Sequence, residues 1–175
     1  SPHLYNTSNI GCGTIVDRSG TVLLDISTSR SYAADALTRK STLHWLGDRQ
    51  GNINTPALSL YAASMTGYDI LNGIYAYGDD RGEMELTLSA PVQTAALKAL
   101  DGRKGVVAVY NYKIGQILCA VTTPTYDPDN VPDIDENSDA YEGVYLNRFT
   151  QVSHVPGSVF KIVTAAAALD SLENA

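Results

Sequence analysis

The segment Pro156-Gly157-Ser158-Val159-Phe160-Lys161-Ile162-Val163-Thr164-Ala165-Ala166-Ala167-Ala168-Leu169-Asp170 constrains the fold of this chain more than any other. It predicts a helix that starts at Ser158 and is apolar on every side except at Ser158, Lys161 and Thr164. A helix without a polar face needs cover all round. The expectation is therefore a buried helix inside a layered domain. Two other runs ask for similar cover. Gly105–Tyr110 and Gln116–Val121 are nearly continuous in apolar residues and flank a turn at 111–115. They read as a hairpin at the centre of a sheet, covered on both faces.

The remaining signals are those of a mixed α+β chain. Gly13–Leu24 carries two β-branched runs around Asp17-Arg18-Ser19-Gly20, a turn with glycine at its end, and predicts a hairpin. A helix is expected from Tyr32 to Arg39. Residues 48–82 are rich in Gly, Asn and Tyr and read as loops around short elements, including a helix near Pro56–Ala63. Met84–Leu88 alternates like a strand. Ser89 is a good N-cap and Pro91 suits a first helical turn, so a helix is expected over Pro91–Leu100. Its inner face would carry Val92, Ala95, Ala96 and Ala99, and Asp101-Gly102 would end it.

Composition narrows the function classes. Of 175 residues, 44% are hydrophobic and 18% charged, which is enough to bury a core without metal or disulfide staples. The net charge of −7 shows no basic face of the kind nucleic acid requires. Seven carboxylates and no Lys or Arg lie between Asp127 and Glu142. Asp127-Pro-Asp129-Asn-Val lacks the glycine and the distal glutamate of an EF-hand loop, so the stretch reads as a solvated acidic loop rather than a metal site. Cys12 and Cys119 sit in apolar surroundings with no CxxC or Cys/His cluster, and are expected as buried small hydrophobes. No metal or organic cofactor is implied. No apolar run approaches the roughly 20 residues of a membrane helix. The first residues, Ser1–Asn9, are polar and unlike a signal peptide. The abrupt ends read as those of a piece of a longer protein, whose anchor would lie outside these residues.

Ser158 and Lys161 are the chemical candidates. Three positions apart on a helix, their side chains share a face. A serine hydroxyl is a weak nucleophile and needs a base within hydrogen-bond reach. A lysine serves only when uncharged, which asks for a pKa roughly three below the reference of about 10.4. Burial produces shifts of that size, and Val159, Phe160, Ile162 and Val163 are the apolar flanks that would supply it. The bland reading is that Ser158 is an N-cap and Lys161 a lysine that snorkels to solvent.

The wider context resembles a family. Pro156-Gly157-Ser158-Val159-Phe160-Lys161, with Asn147-Arg148 upstream, resembles the active-site segment of penicillin-binding proteins, whose nucleophile motif is S-x-x-K. The family usually has Thr where this chain has Val159. Further resemblances come in order: the Gly13–Leu23 hairpin to the signature hairpin of class B enzymes, Glu85–Gln93 to the strand and first helix of the transpeptidase domain, and Gly105–Val109, Gly115–Val121 and Pro124–Pro128 to its first two strands and the loop after them. Residues 30–82 match most loosely. The S-x-N and K-[ST]-G motifs that complete the family's site are not in this sequence. Lys113-Ile-Gly115 has no hydroxyl and falls in a hairpin turn before Ser158, so it reads as an ordinary turn.

The resemblance implies two parts. Residues 1–85 would be a β-rich, non-catalytic N-terminal pedestal, and 86–175 the first part of an α/β transpeptidase domain, an antiparallel sheet with helices. The implied activity is peptidoglycan D,D-transpeptidation, with Ser158 as nucleophile and Lys161 as general base. The chain by itself would be a poor enzyme or none. Implied partners are stem peptides, β-lactams and other proteins of wall synthesis or division, with self-association through an open sheet edge and no nucleic acid. The implied place is the outer face of the bacterial cell membrane. A serine β-lactamase or β-lactam sensor would share the S-x-x-K chemistry, and a non-catalytic wall-synthesis scaffold would share the N-terminal module.

Overall fold

The computed structural model describes residues 12–26, 29–53, 68–69, 74–75, 83–135 and 138–173 of the chain. The helix expected near Pro56–Ala63 and the side chain of Cys12 lie outside the described residues.

The first hairpin forms as the sequence predicts. Strands β1 (Cys12–Val16) and β2 (Val22–Ile26) run antiparallel, with Ile15 opposite Leu24 and Val16 opposite Val22. β3 (Ser31–Tyr32) adds to β2, and with a later strand, β6 (Glu83–Glu85), the sheet order is β3-β2-β1-β6. Two short strands, β4 (Tyr68–Asp69) and β5 (Ile74–Tyr75), pair with each other. β6 (Glu83–Glu85) runs parallel to β1, shorter than the expected 84–88, and its ladder continues where Leu86 N–H donates to Val16 O at 2.9 Å.

The turn between β1 and β2 is built on Asp17. Its Oδ1 accepts from Ser19 N–H at 2.9 Å, Ser19 Oγ–H at 2.7 Å and Thr21 N–H at 2.9 Å, while Gly20 supplies the positive φ of 83°. Its Oδ2 accepts Ala90 N–H at 2.9 Å, the first residue of a helix 73 positions away. Burial of this carboxylate opposes its ionisation, but the Ala90, Ser19 and Thr21 donors outweigh burial and hold its pKa down at about 2.

The first helix is displaced from the sequence reading. Instead of Tyr32–Arg39, α1 spans Ala36–Leu46. Ser31–Tyr32 is consumed by pairing with β2, and Asp35 is the N-cap, its Oδ2 taking Thr38 N–H at 2.8 Å. Gly47 closes the helix at φ 79°, with its N–H on Leu43 O at 2.8 Å. Leu43 and Leu46, one turn apart on α1, are both buried but join different clusters. Leu46 joins Ile15, Leu23, Leu24, Tyr32 and Ala90, whereas Leu43 joins Ile53, Tyr126 and Val144. Both clusters include residues from either side of position 85, so the hairpin and the later elements share cores.

Helix α2 spans Ala90–Leu100, ended by Asp101 in the left-handed region. Ser89 occupies the N-cap position, but its side chain makes no capping bond, and the Asp17 carboxylate takes that place. The buried face is Ala90, Gln93 and Ala96, not Val92, Ala95 and Ala99. Gln93 decides this rotation. Its side-chain amide donates to Ser41 O of α1 at 2.8 Å and accepts Ala120 N–H at 2.8 Å, tying α1, α2 and the second hairpin together. Replacing it, Gln93→Leu, leaves the Ala120 N–H buried without an acceptor. Urea unfolding is expected to show a loss of about 1–3 kcal/mol, and an unchanged midpoint would contradict this role.

The second hairpin is β7 (Gly105–Tyr110) with β8 (Ile117–Thr123), antiparallel with Ala108 opposite Ala120. Only half of the expected cover is present. β8 buries Cys119, Ala120 and Val121, and Cys119 and Val121 pack with Ala96 of α2. β7 instead exposes Val109 (41%) and Tyr110 (66%). The outer edge of β8 is occupied by other donors and acceptors: Ser89 N–H and Thr87 Oγ–H donate to Leu118 O and Ile117 O, and Trp45 Nε1–H donates to Ala120 O. Among the described residues β7 has β8 as its one neighbouring strand, and its other edge is open. The alternation of an antiparallel ladder turns the N–H and C=O of Ala108 outward there.

Candidate active-site segment

From the end of β8 the chain runs through the acidic stretch to Ser158, and two buried arrangements fix its course. The first limits the reading of a solvated acidic loop, which holds for the exposed Asp129, Asp133, Asp135, Asp139 and Glu142 but not for its first carboxylate. Asp127 is buried, and Arg39 of α1 binds it with a fork, Nε to Oδ1 and a terminal nitrogen to Oδ2, both at 2.7 Å. The other terminal nitrogen of Arg39 donates to Ala33 O and Ala34 O. The hydrogen bonds from Arg39 are the chief reason the Asp127 carboxyl is held below the usual carboxylate range. Asp129 takes Arg49 at 2.6 Å. The sequence hid this because both arginines lie roughly 80 to 90 positions earlier. Among the described residues no cluster of His, Cys, Asp or Glu is arranged to hold a metal ion.

The second arrangement lies at Asn147 and Arg148. Asn147 is buried, with its Nδ2–H on His44 O at 3.3 Å and its Oδ1 accepting Phe149 N–H at 3.0 Å. Its own N–H donates to Gln151 Oε1 at 2.7 Å, and its carbonyl accepts from Thr150 and Gln151 N–H. Arg148 donates from Nε to Thr123 O at the end of β8 and from a terminal nitrogen to Glu142 O, both at 2.9 Å. His44 donates Nε2–H to Val144 O at 2.8 Å, and burial pushes its pKa down to about 4, so it is uncharged at neutral pH. The ring of Phe149 lies 6.2 Å from that of Trp45.

Beyond this point the chain leaves the body. Gly157–Phe160 forms a 3₁₀ turn, with Gly157 at φ 55°, and runs into α3 (Lys161–Glu173). The α-helix therefore begins at Lys161 rather than at Ser158. Lys161 N–H donates to Ser158 O, so the two candidate residues are separated by one 3₁₀ turn. Side chains three apart in a 3₁₀ turn eclipse each other, which puts Ser158 and Lys161 on one face. The expected burial is not found: Ser158, Lys161 and the apolar neighbours are exposed, with Phe160 at 53% and Ile162 at 74%. The apolar pattern calls for cover, and none of the other described elements lies over it.

Residues 105–172 match the family described as the penicillin-binding protein transpeptidase domain, a stretch that includes the second hairpin, the Asn147–Arg148 turn and the Ser158–Lys161 pair. This part of the chain belongs to the penicillin-binding protein transpeptidase family. It is similar to peptidoglycan D,D-transpeptidase PbpA of Mycolicibacterium smegmatis, 35% identical over 104 residues, which are 51% of this chain and 21% of that protein. It is also similar to stage V sporulation protein D of Bacillus subtilis, 36% identical over 105 residues, covering 55% of this chain and 15% of that protein. The matches thus span about a fifth or less of the curated relatives' length. Among solved structures, PBP2 of Pseudomonas aeruginosa, crystallised with WCK 5153, aligns with 91% of this chain and 39% of its own at a TM-score of 0.66 and 24% identity, a likeness of fold. The D,D-transpeptidase domain of a peptidoglycan glycosyltransferase from Eggerthella lenta aligns with 91% of this chain and 37% of its own, at the same TM-score and 26% identity. The mixed α+β architecture expected from the sequence is that of these transpeptidase domains.

Proposed function

We propose that this penicillin-binding protein acts as a peptidoglycan D,D-transpeptidase that cross-links stem peptides through a serine acyl-enzyme. The observation that carries the reading is the placement of Ser158 one 3₁₀ turn before Lys161, inside the matched stretch. Ser158 is the nucleophile and Lys161 the general base. Ser158 Oγ attacks the carbonyl of the penultimate D-Ala while Lys161 Nζ takes its proton. The tetrahedral adduct expels D-Ala, which leaves with the proton, and an ester remains on Ser158. The amine of a second stem peptide then attacks that ester, closing the cross-link and restoring the serine hydroxyl. β-Lactams acylate the same oxygen.

In this reading residues 1–85 form the non-catalytic module and 86–175 the first part of the transpeptidase domain. The rest of a full-length domain covers the apolar sides of α3 and supplies the S-x-N and K-[ST]-G groups that this sequence does not contain. Cover over α3 would also withdraw Lys161 from water, as its role as a base demands. The open edge of β7 is a place for another strand, from the same protein or a second copy. Other proteins of wall synthesis or division are further partners, and the site of action is the outer face of the cell membrane. Among the described residues no helix is long and apolar enough to cross a membrane.

Intact mass measurement of the full-length protein after penicillin treatment tests the reading. A single long-lived adduct that maps to Ser158 is expected. No adduct, an adduct on another residue, or an adduct that hydrolyses within seconds as in a β-lactamase would overturn it.

A further inference from the structure

We infer that Asn147 and Arg148 are positioning residues for Ser158: together they form the clamp that sets where the serine segment leaves the body of the domain. The inference rests on the reading of Ser158 as the nucleophile. Ser153–Leu172 is exposed throughout, so the last buried side chain before the serine is that of Asn147. That side chain joins the turn to the C-terminal half of α1 through His44 O, and Arg148 joins it to the end of β8 through Thr123 O. The guanidinium also holds Glu142 O, so one planar fork ties the turn both to the end of β8 and to the chain just before it. On the far side, His154 Nε2 lies 3.3 Å from Arg148 O, and Ser158 follows four residues later. Two anchors on different elements fix both the position and the direction of the exit. A reacting atom misplaced by about 1 Å loses on the order of 10²-fold in rate, so the clamp bears on the acylation step although it touches no substrate.

Gly143 provides an independent way to disturb the clamp. It has φ 69°, and a Cβ there would lie 2.9 Å from the Arg148 terminal nitrogen. Gly115 is its control: φ is 75°, so alanine carries a similar backbone strain, but a Cβ would meet nothing within 4 Å.

The experiment measures acylation of the full-length protein by a fluorescent penicillin over a range of concentrations, separating the limiting rate from the half-saturating concentration. Arg148→Ala and Gly143→Ala are expected to lower the limiting rate tenfold or more and to leave half-saturation within twofold. Arg148→Lys, with one ammonium in place of the fork, falls between them and the unaltered protein, and Gly115→Ala keeps the full rate. Limiting rates within twofold of the unaltered protein for Arg148→Ala and Gly143→Ala would overturn the inference. So would a loss in Gly115→Ala equal to that in Gly143→Ala, since strain alone would then explain both. If Arg148→Ala does not fold, the two glycine variants decide. An unaltered protein that takes no adduct on Ser158 overturns the function proposed above, and this inference with it, and is told apart by that missing label.

Discussion

Changing Ser158 to alanine is expected to abolish the covalent penicillin adduct of the full-length protein and to leave its thermal midpoint nearly unchanged. The two halves of this expectation have separate causes. Removing the hydroxyl removes the only atom of residue 158 able to form the ester. Ser158 is exposed among the described residues and makes no core contact, and substitutions of that kind fall within about 0.5 kcal/mol. Lys161→Ala is a graded companion. It keeps the nucleophile and removes the base, so acylation slows by about 10²–10⁴-fold without vanishing. Both follow from gel fluorescence after a timed exposure to labelled penicillin. Persistent labelling of Ser158→Ala would move the nucleophile elsewhere.

The largest structural effect is expected at Asp17. Asp17→Ala removes, in one step, the acceptor of three bonds in the β1–β2 turn and of the Ala90 N–H that opens α2. Loss of such a buried charged acceptor costs about 3 kcal/mol or more, a large fraction of the stability of a domain. The carboxylate also makes stability depend on acid. Its pKa is about 2 in the folded chain and near 3.8 when unfolded. A depressed value contributes stability at every pH above the unfolded value. That contribution, about 2 kcal/mol, is lost as pH falls from roughly 4 through 2. Urea midpoints at pH 7 and pH 3 test both claims. The unaltered chain should lose stability between them through this group, and Asp17→Asn should lose less over the same interval. Equal losses would assign the acid sensitivity to other carboxylates.

Local pattern made some elements legible in the sequence. The β1–β2 hairpin was readable because Asp17-Arg18-Ser19-Gly20 is a turn in its own right, and Gly20 meets its demand for a positive φ. The strands of the second hairpin and the end of α2 at Asp101-Gly102 were readable for the same reason. The start of α1 was misplaced because Ser31–Tyr32, which could open a helix, is claimed by a strand partner in β2. The inner face of α2 was misread because apolar counting favours Val92 and the alanines, whereas a glutamine sits inside. The one available hint was spacing, since Gln93 lies midway between Ala90 and Ala96 on a single stripe.

The candidate pair divides along the same line. Its spacing and its apolar flanks are written in Pro156–Val163, and the 3₁₀ turn that carries Ser158 to Lys161 is a short-range consequence of those residues. Burial of that helix is not short-range. It needs surfaces from elsewhere, and the described residues leave the helix open.

The chain's order of residues was therefore sufficient for the turns, the strand pairing of neighbours and the single-turn spacing of Ser158 and Lys161, because each is settled by contacts within a few positions. Only the folded arrangement decided that Asp17 caps α2, that Arg39 neutralises Asp127, that Gln93 joins two helices to a strand and that Asn147 and Arg148 brace the path to the serine. Those bonds join groups from 25 to 103 positions apart in space that the chain defines only after its core has formed, and no local pattern encodes a partner that distant.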